Sequence, residues 1–289
     1  MLRTPLICAF AAAGLFCAFV TPVLAQSAPA PNYNSAPPPV TTPTGFWARY
    51  IAGDWSLTVG ASGTIGPSYE GANNMGFTAA PMISLARAGA GPMFTSRNDN
   101  PGLAVYDTGW FRIGPVGKIL FTRDDSTSND LRGLRSVPWG VEAGAFVDIY
   151  PTDWLRLRAE LRQGIRAHHG LVGDLAADAF YDITPVWRIS GGPRMSIASS
   201  SYYRAYYGVT QEESVLSGLA PYSPGGGVKS VGVGGALTWK TTDKITTSAF
   251  GEYSRLTGPA ADSSLVKQRG SVNQLMFGLS ATYRFDFTL

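Results

Sequence analysis

From Trp154 to Arg166 the chain alternates strictly. Leu155, Leu157, Ala159, Leu161 and Ile165 share one parity, and Arg156, Arg158, Glu160, Arg162 and Arg166 share the other. Side chains alternate across a strand with a period of two, so the pattern predicts a strand with one apolar and one charged face. A helix would scatter those arginines around its circumference. The C-terminal segment repeats the pattern, with Leu275, Phe277, Leu279, Ala281, Tyr283, Phe285 and Phe287 against Gln274, Ser280, Thr282, Arg284 and Asp286. Trp55, Leu57, Val59 and Ala61 oppose Asp54, Ser56, Thr58 and Gly60 in the same way. Trp139, Val141, Ala143, Ala145, Val147 and Ile149 oppose Glu142 and Asp148, and Phe77, Ala79, Pro81, Ile83 and Leu85 form a further case.

The environment of the apolar face sets the fold class. In a soluble sandwich it meets a second sheet, whereas in a membrane barrel it meets lipid and the polar face lines the lumen. The segments run about 10 to 14 residues, longer than the roughly five or six of ordinary strands and suited to a tilted bilayer crossing. Aromatic residues gather near their ends (Trp47, Trp55, Trp110, Trp139, Trp154, Trp187, Trp239, Tyr283, Phe285, Phe287), as interfacial girdles require. The pattern therefore predicts an all-β protein, a transmembrane antiparallel β-barrel. Ten strands are expected at 54–65, 75–87, 110–122, 138–150, 153–166, 171–183, 185–199, 228–240, 244–256 and 272–287. Short connections at Pro151-Thr152, Thr184 and Thr241 to Asp243 read as periplasmic turns, and longer ones as outer loops. Parity then asks 91–106 for a hairpin split at Asn98-Asp99-Asn100-Pro101, which makes twelve strands. Ten is the runner-up, with 91–106 as a long folded-in connection.

The first residues differ from the rest. Arg3, an apolar run from Leu6 to Val20 and Val23-Leu24-Ala25 before Gln26 read as a cleaved signal peptide over 1–25. Residues 26–46, rich in Pro, Ala, Ser and Thr and including Pro37-Pro38-Pro39, read as a periplasmic linker, leaving 47–289 for the barrel. Both cysteines, Cys8 and Cys17, fall in the signal, so the mature chain has no thiol for a disulfide or a thiolate metal site. Charged residues are 15% of the chain and the formal net charge is +3, with no basic run to bind nucleic acid.

Two groups of residues stand out as candidate sites. Arg156, Arg158, Arg162 and Arg166 face inward, with Glu142 and Asp148 on one neighbouring strand and Asp174, Asp178 and Asp182 on the other. Opposite charges paired across strands form a ladder that either closes a narrow lumen or sets a solute-selecting field. Tyr202, Tyr203, Tyr206, Tyr207 and Tyr222 crowd the loop from Ser201 to Gly227, too many rings for a freely waving segment. They form either an outward recognition surface or an inward plug. His168 and His169 read as two solvated loop histidines. The alternative is an acid–His pair with Asp174 or Glu160. No nucleophile elbow, phosphate loop or metalloprotease helix is present, so no catalytic, cofactor or metal residue is expected.

Six short motifs in order then resemble the MipA/OmpV family. They are Gly66-Pro67-Ser68-Tyr69-Glu70-Gly71, Pro81-Met82-Ile83, Gly114-Pro115, Tyr206-Tyr207-Gly208-Val209, Tyr253-Ser254-Arg255-Leu256 and Asp262-Ser263-Ser264-Leu265-Val266, closed by Tyr283-Arg284-Phe285. Where this family's chains end at the aromatic after Tyr-Arg, this one continues through Asp286-Phe287-Thr288 to Leu289. The resemblance, which covers about Asp54 to Phe285, implies a Gram-negative outer-membrane location in contact with lipid. It also implies a non-enzymatic scaffold linking a lytic transglycosylase and a peptidoglycan synthase. A small-solute channel is the alternative, and a surface hydrolase using His168 or His169 is a third reading. Leu161 faces lipid and Arg162 the lumen, where losing one charge leaves its acidic neighbours accessible to water, so Leu161→Arg should damage assembly more than Arg162→Leu.

Overall fold

The computed structural model describes residues 52–87, 94–96 and 99–289, without the side chains of Ala86 and Arg87. The expected signal and linker lie outside the described residues. Eleven strands form among them: β1 (Asp54–Pro67), β2 (Met75–Arg87), β3 (Tyr106–Asp107), β4 (Phe111–Leu120), β5 (Gly140–Thr152), β6 (Leu155–Ile165), β7 (Leu171–Asp182), β8 (Trp187–Ala198), β9 (Gly227–Lys240), β10 (Ile245–Leu256) and β11 (Asn273–Thr288). They make one antiparallel sheet in the order β2-β1-β11-β10-β9-β8-β7-β6-β5-β4-β3. The sheet curls so that the first strand pairs with the last, Leu57 opposite Phe285 and Ile65 opposite Phe277. Its two ends meet through a parallel bridge between Leu85 and Leu103.

The period-two pattern forces an inside-out burial. Along β6 the apolar residues face out, with Leu161 56% exposed, while Arg156 and Arg162 are 0% and 1% exposed. A soluble fold would reverse this, since arginine is almost never fully buried unless paired. Lipid on the outside accounts for both faces at once. Aromatic rings mark the rim formed by the short turns: Trp110, Trp154, Trp187 and Trp239 lie there, and Trp187 stacks on Trp239 at 5.5 Å. The turns close by side-chain capping. Thr184 Oγ1 accepts from the N–H groups of Val186 and Trp187, and Thr242 Oγ1 from those of Lys244 and Ile245. Leu161→Arg places a cation in lipid near mid-membrane and is expected to cost about 2–4 kcal/mol. Heat-modifiable gel mobility of the variant in outer membranes checks this.

Among the described residues, the hairpin expected at 91–106 pairs only in its second half: Tyr106 and Asp107 form β3, Gly102 bridges Val116, and the Leu103 and Val105 N–H groups donate to the Pro115 and Ile113 carbonyls of β4. Phe94, Asp99 and Asn100 turn into the lumen instead, as in the folded-in connection. Phe94 stacks on Phe180 with ring centroids 4.5 Å apart, and its carbonyl accepts from the Tyr150 hydroxyl at 2.8 Å. Asp99 accepts two hydrogen bonds from Arg156, and Asn100 donates to Glu160 at 2.7 Å. An acid that can neutralise a buried guanidinium gains more inside than on a strand edge. The opposite lumen wall is built of small residues: Gly60 faces Thr282, and Ser62 faces Ser280.

Candidate functional site

The lumen ladder follows directly from register. Arg158 stands opposite Asp148 on β5, Arg156 opposite Asp178 on β7, and Glu160 opposite Asp174. Arg156 reaches Asp99 and Asp178, the latter at 2.7 Å. Arg158 holds Asp148 at 2.9 Å and Glu160 at 2.7 Å. Arg162 binds Glu142 at 2.8 Å, Asp174 at 2.5 Å and also Glu160. Asp178 is shared with Arg194 of β8. Apart from Asp99, Asp174 and Arg194, whose side chains keep 15 to 32% exposure, these groups are nearly excluded from solvent. The network fills this side of the lumen.

Two of the expected ladder members stand elsewhere. Arg166 takes a left-handed backbone, φ 77°, where β6 ends. That breaks the alternation and turns its guanidinium out onto the Trp139 ring, 4.1 Å from the centroid. Asp182 lies at the turn end, 50% exposed, paired with Arg188 at 2.6 Å. Conversely, Asp99 and Arg194 belong to the network unannounced, Glu160 belongs to it although the sequence offered it only as a partner for a histidine, and Lys229 points into the lumen beside it. Glu160 was visible on the charged parity. Lys229 was not: the β8–β9 register slips between Ser196 and Ile197, and this bulge re-aims Lys229 inward. There it meets Glu70 at 2.7 Å.

The histidines separate. His169 is exposed, but His168 is 3% exposed and not solvated. Its Nδ1 accepts the Gly170 N–H at 3.1 Å, which leaves the proton on Nε2 facing Glu142 at 3.0 Å. The ring fits over the strand only because residue 164 is glycine, since a Cβ there would lie 2.2 Å from the imidazole. With both ring nitrogens engaged, His168 has none left to activate a nucleophile. Among the described residues no group of three or more His, Cys, Asp or Glu has the geometry of a metal site.

Above the ladder, the outer loops knit into a cap. The loop after β8 folds into α1 (Ser200–Tyr206) and α2 (Gln211–Ser217), and the loop after β10 into α3 (Gly258–Ala261) and α4 (Ser264–Arg269). A capping box between Thr210 and Glu213 starts α2, and Gly218 in the left-handed region ends it. Tyr202, Tyr203 and Tyr207 are buried, packed with Leu256, Ala260 and Val266. Tyr206 packs beside them, and Tyr222 donates to the Pro259 carbonyl at 2.9 Å. The rings therefore turn inward. Tyr202 contacts His168 edge-on at 4.9 Å, lies 5.1 Å from the Lys229 ammonium and donates to Glu70. Arg123 ties the next loop in, donating to the Tyr206 carbonyl at 2.6 Å. The motif residues meet here: Gly71 N–H donates to Gln274, Ser263 to the Tyr207 carbonyl, and Leu265 packs on Tyr69.

Ionisation of the cap has a definite sign. Burial pushes the Tyr69, Tyr203 and Tyr206 phenols up to about 12. A raised phenol stabilises the fold fully below its ordinary value of 10, and that contribution is lost as pH rises towards about 12. Burial also pushes the Glu70 carboxyl up, but the Lys229 ammonium and the Tyr202 hydroxyl outweigh it and hold it below the usual carboxylate range. Its contribution is present above the ordinary carboxylate value and is lost on acidification. The cap is thus expected to loosen between about pH 10 and 12. Tyrosinate absorbance and protease sensitivity, followed together against pH, check this.

A protein-family model described as "MltA-interacting protein MipA" matches residues 59–285. No curated protein matches the chain. Among solved structures, the chain is similar to OprB of Pseudomonas putida (15% identity, TM-score 0.35), covering 62% of this chain and only 46% of that one. It is also similar to the NanC porin (8% identity, TM-score 0.36, 79% of this chain and 98% of that one). A third is the CymD monoaromatic hydrocarbon channel (10% identity, TM-score 0.35, 83% and 90%). Likenesses this distant carry no weight for function.

Proposed function

This chain belongs to the MipA family of the outer membrane, and from that premise we propose that it is an envelope scaffold, a closed barrel that docks a lytic transglycosylase and, through it, a peptidoglycan synthase. The observation that favours a scaffold over a pore is the ladder: Arg156, Arg158 and Arg162 fill their side of the lumen with ion pairs instead of facing an open aqueous path. The inward cap of tyrosines adds a second obstruction at the outer mouth. The family's name supports the choice of partner. Crosslinking in intact envelopes followed by pull-down is expected to recover a lytic transglycosylase. Recovery of none would remove the scaffold role.

A small-solute channel is the second reading, favoured by the small-residue wall around Gly60, Ser62, Ser280 and Thr282 facing the ladder. Planar-bilayer recording separates the two. A scaffold gives no reproducible single-channel steps, and steps of constant size would establish the channel. A surface hydrolase has less support, because the His168 nitrogens are both occupied. Any hydrolytic activity found in the purified barrel should survive a His168→Ala, His169→Ala double variant.

A further inference from the structure

A groove on the outer wall is not accounted for by the lumen or its cap. It crosses β5 to β8 on the lipid-facing parity as an open, shallow depression with a volume of about 380 Å³. Its origin is the short side chains of Ala159 and Ala177. Register sets Ala159 beside Leu175, and Ala177 beside Leu157, so a shallow diagonal runs between taller aliphatic rows. Leu175, Met195 and Leu157 form its sides.

A second, independent feature coincides with it. Pro193 lies inside β8, a central strand, where it can donate no ladder hydrogen bond. The β7–β8 register stops at Ala176 opposite Arg194 and resumes at Ala179 opposite Gly191. An opened ladder facing hydrocarbon is costly unless its polar groups are satisfied from within. Here Arg194 does so from the lumen side, its Nη1 lying 3.0 Å from the Pro193 carbonyl and 3.4 Å from that of Ala177. Glycine pairs of this kind, Gly191-Gly192, mark places in a strand where another group comes close.

We propose that this groove seats one acyl chain of a phospholipid from the periplasmic leaflet. Depth fixes the leaflet: Leu157 stands three residues from Trp154, about 10 Å at roughly 3.3 Å per residue, and Trp154 marks the short-turn, periplasmic rim. The lining fixes the chemistry, because the side chains that face out into the groove are aliphatic and nothing there would hold a polar ligand. Register fixes the occupant: the trough is one alanine wide between Leu157 and Leu175, room for a single chain, whereas a second barrel would present a convex wall.

Native mass spectrometry of the folded barrel, released from detergent with added phospholipid, tests this. The wild type is expected to retain one phospholipid, and Ala177→Leu and Ala159→Leu, each filling the groove from a different strand, to lose it while keeping heat-modifiable mobility. Because the chain after Cys17 has no cysteine, a single-cysteine Ile149→Cys variant, at the β5 edge of the groove and off its floor, can carry a fluorophore. Brominated-chain phospholipid should quench it saturably at low lipid, while the same label at Leu279→Cys on the far wall is quenched only in proportion to lipid. Equal quenching at both sites, equal retention after filling, retention of lipopolysaccharide in place of phospholipid, or a dimeric mass would each overturn the proposal. Should one leucine variant fail to fold, the other and the quenching comparison still decide it.

Discussion

Replacing Arg162 with leucine is expected to prevent the barrel from reaching its heat-modifiable folded form. Arg162 is 1% exposed and its guanidinium serves Glu142, Glu160 and Asp174 at once. Removing it leaves three carboxylates facing one another in a space with little water. Breaking a buried pair from one side costs about 3–5 kcal/mol, a large share of the roughly 5–15 kcal/mol that holds a domain together. The expectation for a wet lumen ranks Leu161→Arg as the worse change. The burial of Arg162 reverses or equalises that ranking, since the lipid-side arginine costs about 2–4 kcal/mol. Arg162→Lys keeps the charge but loses the fork that reaches several carboxylates, so it should fall between wild type and leucine. Asp182→Asn, at the exposed pair with Arg188, should change little, about 0–1 kcal/mol. Gel mobility of these variants in outer membranes measures the series. Wild-type mobility of Arg162→Leu would mean that the ladder is solvated and does not close the lumen.

What the sequence disclosed and what it hid divide along one physical line. Period two is local, so β6 and its neighbours can be read residue by residue, and the facing of Arg156, Arg158, Arg162, Glu142, Asp148, Asp174 and Asp178 comes with it. The same rule fails where backbone geometry departs from it. The positive φ of Arg166 reverses its side chain, and the bulge at Ser196–Ile197 turns Lys229 inward. Neither leaves a trace in the pattern of apolar and polar positions. Asp99 and Phe94 were hidden for a different reason. Their partners, Arg156 and Phe180, lie more than fifty residues away, and only the inward fold of the connection before β3 brings them together. His168 reads as a solvated loop residue until Gly164 is seen beneath its ring. The α2 cap was legible in principle, since Thr210 with Glu213 three residues on is a helix-start signature.

The cap provides the second large effect, and a pair of substitutions at one residue isolates its source. Tyr207 is fully buried, and its hydroxyl has no hydrogen-bond partner. The ring packs among Tyr203, Leu256 and Val266. Tyr207→Ala removes the ring and leaves a cavity, a change worth about 3–5 kcal/mol for buried aromatics. Tyr207→Phe removes only an unpaired buried hydroxyl, whose burial itself costs about 1–3 kcal/mol, so it should be neutral or mildly stabilising. Tyr203→Phe differs, because that hydroxyl donates to the Gly227 carbonyl at 3.2 Å, and it should cost about 1 kcal/mol. Trypsin reads the outcome at Arg204, which is exposed but held in α1, so cleavage there requires the cap to open. Wild type and Tyr207→Phe are expected to resist cleavage in the folded barrel. Tyr207→Ala is expected to be cut at Arg204 while the strands below keep their heat-modifiable mobility. Rapid cleavage of the wild type, or resistance in Tyr207→Ala, would show that the tyrosines do not hold the cap closed.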